Sequence, residues 1–196
     1  MHEHPPPPPW VGQFKFEISI PVGDPGAAPG LRRRSDRELL VEPPPPLPPF
    51  VPGEPLMRFT HQAYLAVMRA LGTVNPEAGG ILLGPRDSDL VTHFHRDENG
   101  VGTPVTFTID AKGMNAVLKV YQEARLEMKG FVHSHPPRVK SPSGPDLEYA
   151  AQLMQNPKNE AADDLLMPIY CGGTLYPYIV YRDEPGVGHR AQLVLV

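Results

Sequence analysis

Between residues 133 and 146 the chain reads His-Ser-His-Pro-Pro-Arg-Val-Lys-Ser-Pro-Ser-Gly-Pro-Asp, and three of those side chains are metal-ligand types in a usable order. On extended backbone the side chains at i and i+2 point to the same side, so His133 and His135 can both reach one ion. Asp146 follows 11 residues after His135, across a proline-bound loop. It falls in the predicted first turn of a helix, from which a carboxylate can turn back as a third ligand. Two nitrogens and one carboxylate oxygen leave a tetrahedral ion its fourth position for water, the pattern of catalytic rather than structural zinc. Zinc lowers the pKa of such a water to about 7, so hydroxide becomes available at neutral pH.

Amide hydrolysis also needs a proton carrier. Glu77 opens the run Glu-Ala-Gly-Gly-Ile-Leu-Leu-Gly, just ahead of an apolar strand, and is the candidate acid/base. That role is worth about 10²–10⁴-fold in rate. Ser143 can donate a hydrogen bond to a developing oxyanion, a contribution of about 3 kcal/mol. Convergence of these groups depends on the fold. A second pair, His93 and His95, fails the spacing test: the residue 11 after His95 is Thr106, not a carboxylate. It reads as a strand with an exposed histidine face, and His2 and His4 read as incidental residues of a tail.

The elements that must position the five candidates are predicted from Leu56 onward. Thr60 can cap a helix over 61–71 with Leu65, Met68 and Leu71 on one side and Gly72 at its stop. Strands are expected at Ala78–Leu83, Leu90–His95 and Val105–Ile109. Asp110 is a plausible cap for a second helix running to about Glu127, its apolar face made by Met114, Val117, Leu118 and Tyr121. Gly130–Val132 reads as a short strand delivering His133. A third helix starts near Gly144 with Leu147, Ala150, Ala151 and Met154 inward, and strands follow at Leu165–Tyr170, Leu175–Tyr181 and Gln192–Val196. Tyr176, Tyr178 and Tyr181 read as packing residues. This mixture predicts an α+β or α/β domain.

Residues 1–55 differ: they hold 16 of the 27 prolines, in tracts that favour polyproline II geometry. Between the tracts, Phe14, Phe16, Ile18 and Ile20 alternate with Lys15, Glu17 and Ser19. Residues 14–20 therefore read as a docking strand on an arm, because a lone strand cannot bury its apolar face. The predicted organisation is an arm over 1–55 and a domain over 56–196. The run Arg32, Arg33, Arg34 and Arg37 reads as a solvated turn, diluted by Asp36 and Glu38. A net charge of −4 gives no basic field for nucleic acid. Eighteen consecutive apolar residues occur nowhere, so no membrane span is expected. Cys171 is the one cysteine, excludes an internal disulfide, and reads as a buried structural thiol in a reducing, cytoplasmic setting.

Glu77 with Gly79-Gly80-Ile81-Leu82-Leu83-Gly84, then His133-x-His135-Pro136, five residues, and Pro142-Ser143-x-x-Asp146, resembles the JAMM motif of the JAB/MPN+ metalloproteases. The Glu-x-Gly-Gly-x-Leu-Leu-Gly opening is most similar to the prokaryotic JAB branch, and the resemblance spans roughly residues 57–182. It implies a cytidine-deaminase-like mixed sheet flanked by helices. It also implies a Zn2+ isopeptidase or peptidase acting after the C-terminal tail of a ubiquitin-like or sulfur-carrier protein. By matching position, His133, His135 and Asp146 would be ligands, Glu77 the acid/base and Ser143 the oxyanion donor. Implied partners are that substrate and its E1/E2-like conjugation enzymes, with no nucleic acid and no membrane. The rivals are a non-catalytic binding module for a ubiquitin-like protein, and a DNA-repair-associated JAB protein of the RadC kind.

Overall fold

The computed structural model describes residues 52–72, 77–102 and 107–196. The proline-rich arm, its strand at 14–20, the arginine run, and His2 and His4 all lie outside the described residues. In chain order the strands are β1 (Leu56–Phe59), β2 (Gly79–Pro85), β3 (Leu90–Val91), β4 (His93–Arg96), β5 (Val101–Gly102), β6 (Phe107–Thr108) and β7 (Leu126–Ser134). They continue with β8 (Asp164–Leu166), β9 (Ile169–Cys171), β10 (Thr174–Tyr176), β11 (Tyr178–Tyr181), β12 (His189–Arg190) and β13 (Gln192–Leu195). The helices are α1 (His61–Leu71), α2 (Ala111–Glu123) and α3 (Gly144–Gln155), with a 3₁₀ turn at Pro157–Asn159.

β7 is the spine. On one side it pairs antiparallel with β2, which pairs in turn with β4; on the other it runs parallel to β8 and then β9, giving an eight-stranded mixed sheet. A smaller parallel sheet, β13-β1-β3, lies beside it. Alternation along β2 and β7 sorts the core into layers. Leu82 and Val132 face α1 and pack with Val67, Leu71, Met57 and Phe59. Ile81 and Leu83 face α2 and meet Met114 and Leu118, while Phe131 meets Ala150, Leu153 and Met154 of α3. A register shift after Leu82 pairs Leu83 with Met128, leaving Lys129 as the extra residue. That bulge resets the alternation, so Met128 shares the helix-covered face with Phe131.

The expected α+β class is what forms, and Thr60 and Asp110 cap α1 and α2 as expected. Several boundaries differ. α2 stops at Glu123, because Arg125 adopts a left-handed conformation (φ 59°) that ends the helix. β7 then begins at Leu126, making it a nine-residue strand rather than a short one. The expected strand at Leu90–His95 divides at Thr92, where the chain leaves the small sheet for the large one. The expected strands at 165–170 and 175–181 divide around Pro168 and Pro177, which have no N–H for a ladder. The buried side of α1 is Ala63, Tyr64, Val67 and Leu71, so Leu65 and Met68 only border the core. Cys171 is buried as expected, its Sγ 3.4 Å from the Pro136 carbonyl. Among the described residues no helix is long and apolar enough to cross a membrane.

One side chain ties α3 to the sheet. Arg182, just past β11, donates to the carbonyls of Ala162, Met154 and Asn159. The Met154 carbonyl belongs to the last turn of α3, where no intrahelical donor remains. Asn159 adds a hydrogen bond of 2.8 Å from its amide to the Leu153 carbonyl. Replacing Arg182 with Met removes the guanidinium donors while keeping an apolar stem. Chemical denaturation is expected to show a loss of about 2 kcal/mol; an unchanged midpoint would mean these carbonyls are satisfied without it.

Candidate metal centre

β7 carries both histidines to the end of the sheet. His133 shares the α3-facing side with Phe131, two residues earlier, and is 4% exposed. His135 lies just beyond the strand; its backbone N–H donates to the Tyr170 carbonyl on β9 at 2.8 Å. The third group arrives from α3. Ser143 is the helix N-cap and Asp146 its third residue, in a capping box with Pro145 in the first turn. Asp146 N donates to Ser143 Oγ, while Ser143 N and Oγ donate to Asp146 Oδ2 at 2.6 and 2.7 Å. The helix start thus fixes the carboxylate's direction, and its negative charge complements the positive end of the helix dipole.

The three groups meet. His133 Nε2 and His135 Nε2 are 2.7 Å apart, and they lie 3.1 and 3.2 Å from Asp146 Oδ1 and Oδ2. The candidate ligand atoms all fall within 4.8 Å of one another. An imidazole nitrogen donates to the Asp146 carboxylate when it carries its proton and can bind a cation when it does not. Two such nitrogens and a carboxylate this close in a buried site can hold an ion, and the set suits zinc. Burial works against ionisation of Asp146, but hydrogen bonds from His133, His135 and Ser143 override it and hold the carboxyl well below the usual carboxylate range.

Glu77 stands beside the cluster, 9% exposed, just ahead of β2. The ladder pairs Gly79 with His133, and continuing that register places Glu77 opposite His135. Burial pushes the Glu77 carboxyl up; His135 and His133 pull it back, and the Asp146 charge adds to the push. Gly79 leaves room over the first histidine. A Cβ there would come within 2.7 Å of Phe107 Cε1 and 2.9 Å of His133 Cβ. Phe107 instead stacks on His133 at 6.5 Å and 14°, and Phe131 stacks on the same ring at 6.2 Å and 24°.

All five expected residues therefore occupy one end of the sheet, although Ser143 directs its hydroxyl to Asp146 rather than to open space. His93 and His95 sit elsewhere, on edge strand β4 against Tyr121, with ring centroids 6.1 and 5.9 Å from it. Sequence reasoning missed Phe107, Phe131 and Ser134. Phe131 was findable from its spacing of two before His133. Phe107 carries no local signal, because only folding brings β6 to β7.

The fold and site define an α+β protein with a His/His/Asp cluster facing a buried glutamate. Residues 62–188 match the profile described as prokaryotic homologs of the JAB domain, and the chain belongs to that family. It is 34% identical over 88 residues to a desampylase of Pyrococcus furiosus, covering 44% of this chain and 61% of that protein. It is 32% identical over 83 residues to a desampylase of Haloferax volcanii, covering 42% of this chain and 60% of that one. The matches thus span about three-fifths of these relatives' length. A solution structure of a protein from Desulfitobacterium hafniense shares the fold at a TM-score of 0.56 and 20% identity, over 72% of this chain and 92% of that one.

Ser143 works twice in this geometry, as helix cap and as the donor that orients Asp146. Ser143→Ala is expected to destabilise the metal-stripped protein by about 1 kcal/mol through the lost cap. Equilibrium unfolding in the presence of chelator measures this; wild-type stability would mean the capping box contributes nothing.

Proposed function

We propose that the protein is a zinc-dependent isopeptidase or peptidase that cleaves after the C-terminal tail of a ubiquitin-like or sulfur-carrier protein. The observation that carries this reading is the meeting of His133 Nε2, His135 Nε2 and the Asp146 carboxylate beside buried Glu77. His133, His135 and Asp146 would hold Zn2+, which when bound supplies Lewis acidity and a water acidic enough to act near neutral pH. Glu77 takes a proton from the attacking water as the water oxygen bonds to the scissile carbonyl carbon, then delivers it to the amine nitrogen as the C–N bond breaks. Burial strengthens that carboxylate as a base. Ser143 remains the oxyanion-donor candidate. Its backbone N–H also bonds Asp146 Oδ2, so the carboxylate keeps one anchor if the hydroxyl turns to substrate. Phe107 and Phe131 keep water off one histidine ring and so strengthen the electrostatics around it.

The substrate class is supported by the name desampylase carried by both curated relatives. An extended tail suits strand addition beside the site. Because those relatives are named as enzymes, turnover is favoured over the binding module, and nothing favours the RadC kind of protein. The same reading assigns residues 56–196 to the catalytic domain and 1–55 to an arm whose strand at 14–20 docks on this domain's own sheet or on a partner's. It places the protein in the cytoplasm, where a single buried free thiol stays reduced.

Cleavage of a ubiquitin-like fusion, abolished by chelator and restored by zinc, tests the whole reading. Glu77→Gln is expected to keep zinc and lose about 10²–10⁴-fold in kcat; a wild-type rate would remove Glu77 from the mechanism. His133→Ala and Asp146→Ala are expected to lower the zinc-to-protein ratio measured by metal analysis, and an unchanged ratio would overturn the ligand assignment.

A further inference from the structure

Ser134 lies between the two histidines, and nothing in the metal cluster uses it. It is 6% exposed, and its hydroxyl is engaged with the backbone of Ala78. β2 begins at Gly79, paired with His133, and continuing that register one residue back along β2 sets Ala78 opposite Ser134. In a hydrogen-bonded pair of an antiparallel ladder the two residues exchange both backbone bonds. Here only half of that exchange is made: Ser134 N donates to the Ala78 carbonyl at 2.8 Å. The Ala78 N–H goes instead to Ser134 Oγ at 2.9 Å, and the same hydroxyl donates back to the Ala78 carbonyl at 3.3 Å.

From this geometry we infer that Ser134 is a positioning residue, its hydroxyl clamping the Glu77–Ala78 segment to the ligand strand and so setting the glutamate opposite His135. The inference rests on the acid/base reading of Glu77. Alternation explains why the middle residue can do this: with His133 and His135 turned to one side, the side chain between them is free to close on the neighbouring strand. A second restraint meets Glu77 from the other direction. A Cβ at Gly102 would fall 1.8 Å from the Glu77 carbonyl oxygen, so β5 lies hard against the same backbone. Glu77 is thereby gripped between β5 and β7 while its side chain stays beside the cluster. Without the hydroxyl, the Ala78 N–H becomes a buried donor with no partner, and the segment must shift to satisfy it. Displacement of a catalytic group by about 1 Å can cost up to about 100-fold in rate.

The test uses the full chain loaded with zinc and a ubiquitin-like fusion as substrate. Ser134→Ala is expected to lower kcat by about tenfold to a hundredfold, with KM and zinc content at wild-type values, and Ser134→Thr, which keeps the oxygen, is expected to restore the rate. In a Glu77→Gln background the same Ser134→Ala change is expected to alter the residual kcat by less than about twofold, because the group it positions is already gone. Amide exchange in chelated protein is expected to speed up at Ala78 and not at Val132. Equal losses in both backgrounds, a drop in zinc content, a change confined to KM, or a wild-type kcat for Ser134→Ala would each overturn the clamp. If Ser134→Ala does not fold, Ser134→Cys, which keeps the size and weakens the hydrogen bond, enters the same cycle. A wild-type rate for Glu77→Gln would count against the acid/base reading instead; the exchange measurement needs no turnover and judges the clamp even then.

Discussion

The register between β2 and β7 is the constraint on which the rest depends. Side chains alternate along both strands, so a slip of one residue would send every side chain to the opposite face. Leu82 and Val132 must face α1, whereas Ile81, Leu83 and Phe131 must face α2 and α3. Both faces are covered, so a slipped side chain would meet the wrong helix, and a misfit of that kind in a packed core costs about 1–3 kcal/mol at each site. Core burial therefore locks the register, and the register sets His133 across from Gly79 and Glu77 beside the histidines. The site inherits its precision from packing that has no chemistry of its own.

The third ligand candidate is placed by different physics. Asp146 is fixed by the way α3 begins: a serine cap, a proline in the first turn, and a carboxylate drawn to the positive end of the helix. A helix start is local, so this part of the site needs only that α3 be docked at the right height on the sheet. Packing of Ala150, Leu153 and Met154 on Phe131 sets that height, and Arg182 anchors the far end of the helix. Two independent devices, a strand ladder and a helix cap, thus converge within 4.8 Å.

Convergence brings a carboxylate and two imidazoles together, and the start of α3 supplies donors to the carboxylate. The Asp146 carboxylate is held ionised by Ser143 and the histidines. Burial pushes both carboxyls up; at Asp146 the hydrogen bonds outweigh it, whereas at Glu77, across the ladder, burial prevails. Two carboxyl groups with opposite tendencies beside one cluster suit different tasks: one stays charged to hold a cation, and one can carry a proton.

The chain alone determined much of this. The spacing of His133, His135 and Asp146, the cap at Ser143, the caps at Thr60 and Asp110, and the apolar run after Glu77 are local patterns that backbone geometry turns into elements with little outside help. Strand breaks at Pro168 and Pro177 were written in the sequence too, but were overrun by the apolar stretches around them. Only tertiary structure decided the length of β7, which depends on Arg125 taking a left-handed turn, and the sheet switch at Thr92, which depends on two sheets competing for one stretch of chain. It also decided that Phe107 covers His133 and that the Ser134 hydroxyl reaches Ala78. Those contacts join residues 26 and 56 positions apart, so their partners exist only after the sheet has assembled. Residue type and spacing determine what a segment can do locally, whereas contacts at such separations are chosen by the packing of the whole domain.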